Sequence, residues 1–257
     1  VNPALEQAKP VNTESHQAGI QKKFDFSPPR PRPFLSNLPA RIDTYEEGVA
    51  RFFEWRTGMN YYATIDQIVD FVINTRRSRV LDFFADTGAF SLRLAGRKNF
   101  NGKIYSFDSN ITLLERARQR ARHMNLQQVT DFRQYEGGRW PVPDGFSDIA
   151  ISIFDFHRHS AEQFLAEAVR ILAPEGHLLI AEMIVAKSTL GSWAWNWKRL
   201  RIKYVQKNPE EALGVYYDRE ELIKLLFDAG FRQVVIQGLK QQSSIAGEVF
   251  SLVAATK

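Results

Sequence analysis

Between residues 79 and 183 the chain alternates short apolar runs with stretches of helical periodicity, and this order constrains the fold more than any other feature. Runs at 79–84 (RVLDFF), 103–107 (KIYSF), 130–134, 148–154 (DIAISIF) and 177–183 (HLLIAEM) read as strands. Helices are expected from about Ala89, from about Asn110 to Met124 with Ile111, Leu114, Ala117 and Ala121 inward, and from Ser160, which with Gln163 caps a helix reaching Leu172. Strands this uniformly apolar are buried on both faces, as in parallel sheets. The alternation calls for an α/β fold, a doubly wound sheet with helices on both sides. Such sheets bind ligands at the carboxyl ends of strands where the strand order reverses, which places the site just after strands one, two and four.

Beyond residue 183, Asp218 and Glu221 cap a helix (LIKLLFDA) that Gly230 stops. Two strand-like runs follow, near 233–237 and 248–254, and with no helix between them they must form an antiparallel hairpin. The sheet is therefore expected to have seven strands. Ahead of it, capping boxes at Asp43/Glu46 and Thr64/Gln67 predict two helices, the second carrying Ile65, Ile68, Val69 and Val72, with a turn at GMNYY (58–62) between them. Seven of the eleven prolines lie in residues 1–45, clustered in SPPRPRP (27–33), so residues 1–42 read as an extended arm and 43–257 as one domain.

The absence of cysteine excludes disulfides, zinc-thiolate sites and thiol nucleophiles. No apolar run approaches the roughly 20 residues needed to span a bilayer, and the first residues lack the charged start and apolar stretch of a signal peptide. The expectation is a cytoplasmic chain. A net charge of +5 permits an acidic partner without requiring one.

The residues that carry chemistry follow the strands. VLDFFADTGAF (80–90) closes strand one with a short loop ending in Gly88 at a helix N-terminus, where backbone N–H groups and the positive helix end can approach an anionic group. Twenty-six residues after Asp82, strand two ends in Asp108 (YSFDSN), where an acidic side chain can accept both ribose hydroxyls of a nucleotide. Glu136 lies just after strand three, ahead of WPVPDGFSD, and FDFHRHSAEQFLAEAVRILAPEGHLLIAE spans 154–182.

These motifs resemble those of class I S-adenosylmethionine (SAM) methyltransferases, whose motif I reads D-x-F-A-G-T-G. The stretches after Glu136 and from Phe154 are similar to L-P-F-P-D-x-S-F-D and to F-x-L-H-H…R-V-L-K-P-G-G-x-L-L-I of the ubiquinone and menaquinone biosynthesis enzymes. The resemblance covers about residues 60–183 and the ELIKLLFDAGF helix. It implies a Rossmann-like sheet, SAM as cofactor, and contacts to it from Asp82, Ala85, Asp86, Gly88, Asp108, Ser109, Phe154 and, at the adenine, Glu136. The implied reaction is attack of an acceptor nucleophile on the sulfonium methyl, helped mainly by in-line positioning and water exclusion. Where the acceptor must lose a proton, Asp155, His157 or His159 are the bases in reach, His157 first.

Asp86 departs from the pattern, standing where the family has glycine. Facing the cofactor's carboxylate at around 4 Å it would repel it by roughly 4 kcal/mol at an effective dielectric of 20; facing the α-ammonium it would attract it. The departure keeps open an alternative, a catalytically inactive methyltransferase-like subunit of a larger assembly. The insertion 184–217 holds GSWAWNWKRLRIKYVQK, in which Trp193, Trp197, Leu200 and Tyr204 share a helical face beside Lys198, Arg199, Arg201, Lys203 and Lys207. By resemblance to small-molecule methyltransferases it is expected to roof the acceptor pocket. The expected acceptor is small, apolar or aromatic, with residues 193–207 and the arm 1–45 as surfaces for a membrane periphery or a protein partner. An RNA methyltransferase is the second alternative: the FADTGAF form also occurs there, but no N-P-P-Y follows strand four, and nucleic acid is the less favoured partner.

Overall fold

The computed structural model describes residues 44–185, 189–204, 212–239 and 248–257. The arm 1–42, the Asp43 cap, Lys207 and the side chains of Trp193 and Lys198 lie outside the described residues.

Two helices, α1 (Thr44–Thr57) and α2 (Tyr61–Asn74), precede β1 (Arg79–Asp82), α3 (Ala89–Ala95), β2 (Lys103–Asp108), α4 (Ile111–His123), β3 (Thr130–Gln134) and β4 (Ser147–Ile153). A 3-10 turn (Phe156–Arg158) leads into α5 (Ala161–Ile171), β5 (Leu172–Val185), α6 (Thr189–Tyr204), α7 (Arg219–Asp228), β6 (Gln233–Gly238) and β7 (Glu248–Thr256). The seven strands form one sheet in the order β3-β2-β1-β4-β5-β7-β6. β7 runs antiparallel to both β5 and β6, and the remaining neighbours are parallel. This is the doubly wound sheet with an antiparallel end that the alternation predicts.

Side chains alternate across the pleat, which gives the sheet two cores. Val80, Ile149, Leu179, Ala181 and Met183 pack with Phe53 of α1 and Ile65, Ile68 and Val72 of α2. Leu81, Ala150, Leu178 and Ile180 pack on the opposite face with Phe164 and Leu165 of α5 and Leu222 and Leu226 of α7.

Two expectations about helices are corrected. Thr64 does not cap α2: Asn60 does, its side chain accepting from the Ala63 N–H, and Thr64 lies buried one turn inside with its hydroxyl donating to the Asn60 carbonyl. An Asn upstream is as strong a cap as Thr, and starting there adds Tyr61 to the buried face. Ile111 is exposed rather than inward; Leu113 joins Leu114, Ala117 and Ala121 on the buried side of α4.

Candidate functional site

The order reverses between β1 and β4, since β1 connects to β2 on one side and β4 to β5 on the other, and a cleft of about 2220 Å³ opens at the carboxyl ends of these strands. Asp82, Ala85, Asp86, Asp108, Ser109, Glu136, Phe154, Asp155, His157 and His159 all line it. Gly88 lies behind the wall as the N-cap of α3, at φ 77° and ψ 22°. A Cβ there would sit 3.0 Å from Phe132 Cζ and 3.2 Å from Ala117 Cβ, so close packing and backbone conformation both demand glycine.

The loop after β1 is held from three sides. The Asp86 N–H donates to Asp108 Oδ2 (2.8 Å), while Asp108 Oδ1 accepts from the Asn110 N–H (2.8 Å). Ser91 Oγ donates to buried Asp82 Oδ2 (2.7 Å). Glu46 of α1 accepts from the Thr87 hydroxyl (2.8 Å) and pairs with Arg120, which also donates to the Thr87 carbonyl. Asp86 keeps the glycine-like backbone that the motif requires, with φ 51°. Aspartate is among the few residues that tolerate this region, because its short polar side chain can bond locally.

The carboxylate of Asp86 turns toward α1 and the cleft. The Tyr45 hydroxyl bonds it, and its Oδ1 is buried with no hydrogen-bond partner among the described residues. Burial, then the charge of Asp108, push its pKa up to about 7. Burial does the same at Asp82, also to about 7, and raises Asp108 in the same direction.

Beyond β4 the chain turns sharply at Phe154, which adopts φ 54°. A bulky side chain in this region is strained, and such strain collects at functional sites. The ring packs against Phe53, Phe250 and Phe52. The two histidines that follow have different surroundings. His157 is buried: its Nδ1 lies 2.8 Å from Glu182 Oε2, its ring stacks on Tyr216, and its carbonyl accepts from the Val215 N–H. His159 stacks flat on Phe84, with ring centroids 4.0 Å apart, and its Nε2 lies 2.8 Å from Asp155 Oδ2. Arg158 pairs with the other Asp155 oxygen at 3.0 Å. The His159 side chain is 37% exposed, and its Nδ1 has no hydrogen-bond partner among the described residues.

Several lining residues carry no motif and were invisible to sequence reasoning. Tyr45, Phe52 and Trp55 come from α1, Tyr135 stacks on Trp140 at 3.7 Å beside the cleft, and Leu213 and Val215 form an exposed rim. Only Phe84, inside the motif, was within reach. The insertion meets the cleft through 213–215. On the described aromatic face of α6, Trp197, Leu200 and Tyr204 are largely exposed, while Ile202 is buried.

Residues 80–176 match the family model of a methyltransferase domain. Among curated proteins the chain is similar to the ubiquinone/menaquinone biosynthesis C-methyltransferase UbiE of Pseudoalteromonas translucida, 24% identical over 62% of this chain and 68% of that protein. The UbiE of Pseudomonas syringae pv. tomato is 25% identical over 63% and 68%. Among solved structures, geranyl diphosphate methyltransferase in complex with SAM superposes with a TM-score of 0.61, 13% identity, over 86% of this chain and 92% of that one. The [4+2]-cyclase SpnF does so with a TM-score of 0.59, 18% identity, over 75% and 81%. At these identities the structural likeness establishes the fold. The matched family model, the relatives and the fold together support a class I SAM-dependent methyltransferase, a class whose cofactor is SAM.

The residues present fit that cofactor. SAM carries a positive ammonium and a positive sulfonium against one carboxylate, and the cleft presents six carboxylates, those of Asp82, Asp86, Asp108, Glu136, Asp155 and Glu167, with the orphaned Asp86 oxygen among them.

Proposed function

We propose that this chain transfers a methyl group from SAM to a small apolar or aromatic acceptor that must lose a proton, with Asp155 and His159 as the base. The observation that carries the reading is the Asp155–His159 pair at the cleft wall, half-open to solvent and stacked on Phe84.

In this reading Asp108 and Ser109, which line the cleft at the end of β2, hold the ribose, and Glu136, exposed after β3, reaches the adenine. When bound, SAM supplies an electrophilic methyl on its sulfonium. Asp155 fixes the His159 ring through Nε2 and favours the tautomer with the proton on that nitrogen, which leaves Nδ1 to take the acceptor's proton. Phe84 holds the ring plane. His157 is in the cleft wall, but its enclosure by Glu182 and Tyr216 supports a different part, fixing the turn after β4 to β5 and to the segment before α7.

Val49, Phe52, Trp55 and Phe154 make this part of the cleft apolar and aromatic, and exposed Leu213 and Val215 continue it to the mouth. Exposed Trp197, Leu200 and Tyr204, with Arg201 and Lys203 beside them, support delivery of the acceptor from an anionic lipid surface. The curated relatives named above are C-methyltransferases of ubiquinone and menaquinone biosynthesis, and the proposed acceptor class agrees with theirs.

The test is transfer of labelled methyl from SAM to a panel of phenols, quinols and acidic-carbon compounds. Labelled product from wild type, sharply reduced in His159→Ala, is the expected result; equal turnover in His159→Ala would remove the base from the account.

A further inference from the structure

We propose that Asp86, held by Tyr45, recognises the α-ammonium of the methyl donor, so that this chain replaces the glycine of the loop with a direct charge contact. The inference rests on the reading that the cleft takes SAM.

Geometry comes first. The left-handed backbone of Asp86 sends its N–H to Asp108 and its carboxylate into the cleft. One side of that carboxylate is engaged by the Tyr45 hydroxyl, while Oδ1 is buried without a donor. A buried carboxylate oxygen in that condition is a vacancy for a hydrogen-bond donor. The charged groups facing it decide what kind. Glu46 from α1, Asp108 from the end of β2 and Asp155 after β4 all raise its proton affinity. Of the nearby cations, Arg120 is engaged with Glu46 and the Thr87 carbonyl, and Arg158 with Asp155.

A ligand carboxylate would meet repulsion from each of these acids. An ammonium brings three donors and the opposite charge. The cofactor's amino-acid part therefore enters with its ammonium toward Asp86 and its carboxylate away from it. Tyr45 does more than fill space: its bond fixes the side-chain rotamer and ties α1 to the loop, so cofactor recognition and the α1 wall of the cleft are linked through one hydroxyl.

The charge state gives a signature. Burial, then Asp108, push Asp86 up to about 7, so near neutral pH the free protein holds part of a proton that an incoming ammonium must displace. Binding should tighten with rising pH and release a proton.

The experiment is calorimetric titration of the full chain with SAM, with S-adenosylhomocysteine, whose sulfur is neutral but which keeps the amino-acid part and should behave as SAM does, and with 5′-methylthioadenosine, which has the same neutral sulfur and lacks the amino-acid part. Titrations at pH 7 in two buffers of different ionisation enthalpy count protons. For wild type, SAM should release roughly a third of a proton at pH 7, the half proton from Asp86 less what the ligand's own α-amino group (pKa about 7.8) takes up, and bind roughly tenfold more tightly at pH 7 than at pH 5.5; methylthioadenosine should show neither effect. In Asp86→Asn, SAM should weaken roughly 10- to 100-fold and the proton release should fall, with methylthioadenosine affinity kept, which also shows that the variant is folded. Tyr45→Phe should still bind SAM, with its pH dependence moved to higher pH because Asp86 loses the bond that lowers its pKa. Equal SAM affinity and equal proton release in wild type and Asp86→Asn would overturn the inference and leave the cofactor reading standing. A wild type that binds methylthioadenosine but not SAM would overturn it alone, and one that binds neither would overturn both.

Discussion

Asp108 accepts the backbone N–H of Asp86 at 2.8 Å, so the acid that ends β2 also sets the loop that ends β1. The β1 and β2 walls of the cleft are thereby one unit. The departure from glycine at 86 is accommodated within it: the backbone keeps the left-handed conformation, and the carboxylate is directed to Tyr45.

The two histidines after β4 should respond differently to substitution. Asp155→Asn and His159→Ala are expected to lower methyl transfer roughly 10²- to 10⁴-fold, as loss of positioned acid-base help does, with SAM affinity unchanged in His159→Ala. His157→Ala removes the ring partner of the buried Glu182 carboxylate and leaves it, among the described residues, only the backbone N–H groups at positions 157 and 183, a loss of about 1.5–3 kcal/mol for a hydrogen bond to a charged group. Denaturant unfolding should therefore single out His157→Ala, and steady-state rates the other two.

Stability should fall with rising pH across the window set by Asp82 and Asp86, both pushed up to about 7 chiefly by burial. Between the ordinary aspartate value of about 3.9 and about 7, the folded chain retains protons that the unfolded chain has lost. Folding is therefore progressively disfavoured as pH rises through this range and level above it. Asp86→Asn, free of that penalty, should melt above wild type at pH 8, and the gap should close towards pH 4. A gap that does not change with pH would contradict this.

Gly88→Ala should be destabilising by at least about 1–2 kcal/mol, the cost of placing an L-residue in the left-handed region, with the 3.0 Å approach to Phe132 adding to it. Denaturant unfolding measures the difference. A variant as stable as wild type would mean that α3 can start elsewhere.

The exposed Trp197, Leu200 and Tyr204 of α6, flanked by Arg201 and Lys203, predict co-sedimentation with anionic vesicles and a blue shift of tryptophan emission. Leu200→Glu with Tyr204→Glu should abolish both, and high salt should weaken them. Equal binding by the double variant would assign the contact to another surface.

The succession of strands and helices was legible because buried strands and amphipathic helices leave different periodicities, and the acids at 82 and 108 because each closes a strand. Other features were not legible, for physical reasons. Asn60 and Thr64 are both competent caps, and the choice between them follows from burying Tyr61. His157 and His159 are two residues apart in one motif, yet only the packing of Glu182 and Tyr216 around the first and of Phe84 and Asp155 around the second separates them. Tyr45 could not be found at all, since its meaning depends on a contact with Asp86, 41 positions away.

The most direct test of the account is calorimetric titration of the wild-type chain with SAM, beside Asp108→Ala. Saturable binding with a single site is predicted, weakened roughly 10- to 100-fold in Asp108→Ala by loss of hydrogen bonds to a charged acceptor worth about 1.5–3 kcal/mol. A folded wild type that takes up no SAM, or an Asp108→Ala variant that binds it equally well, would contradict the account.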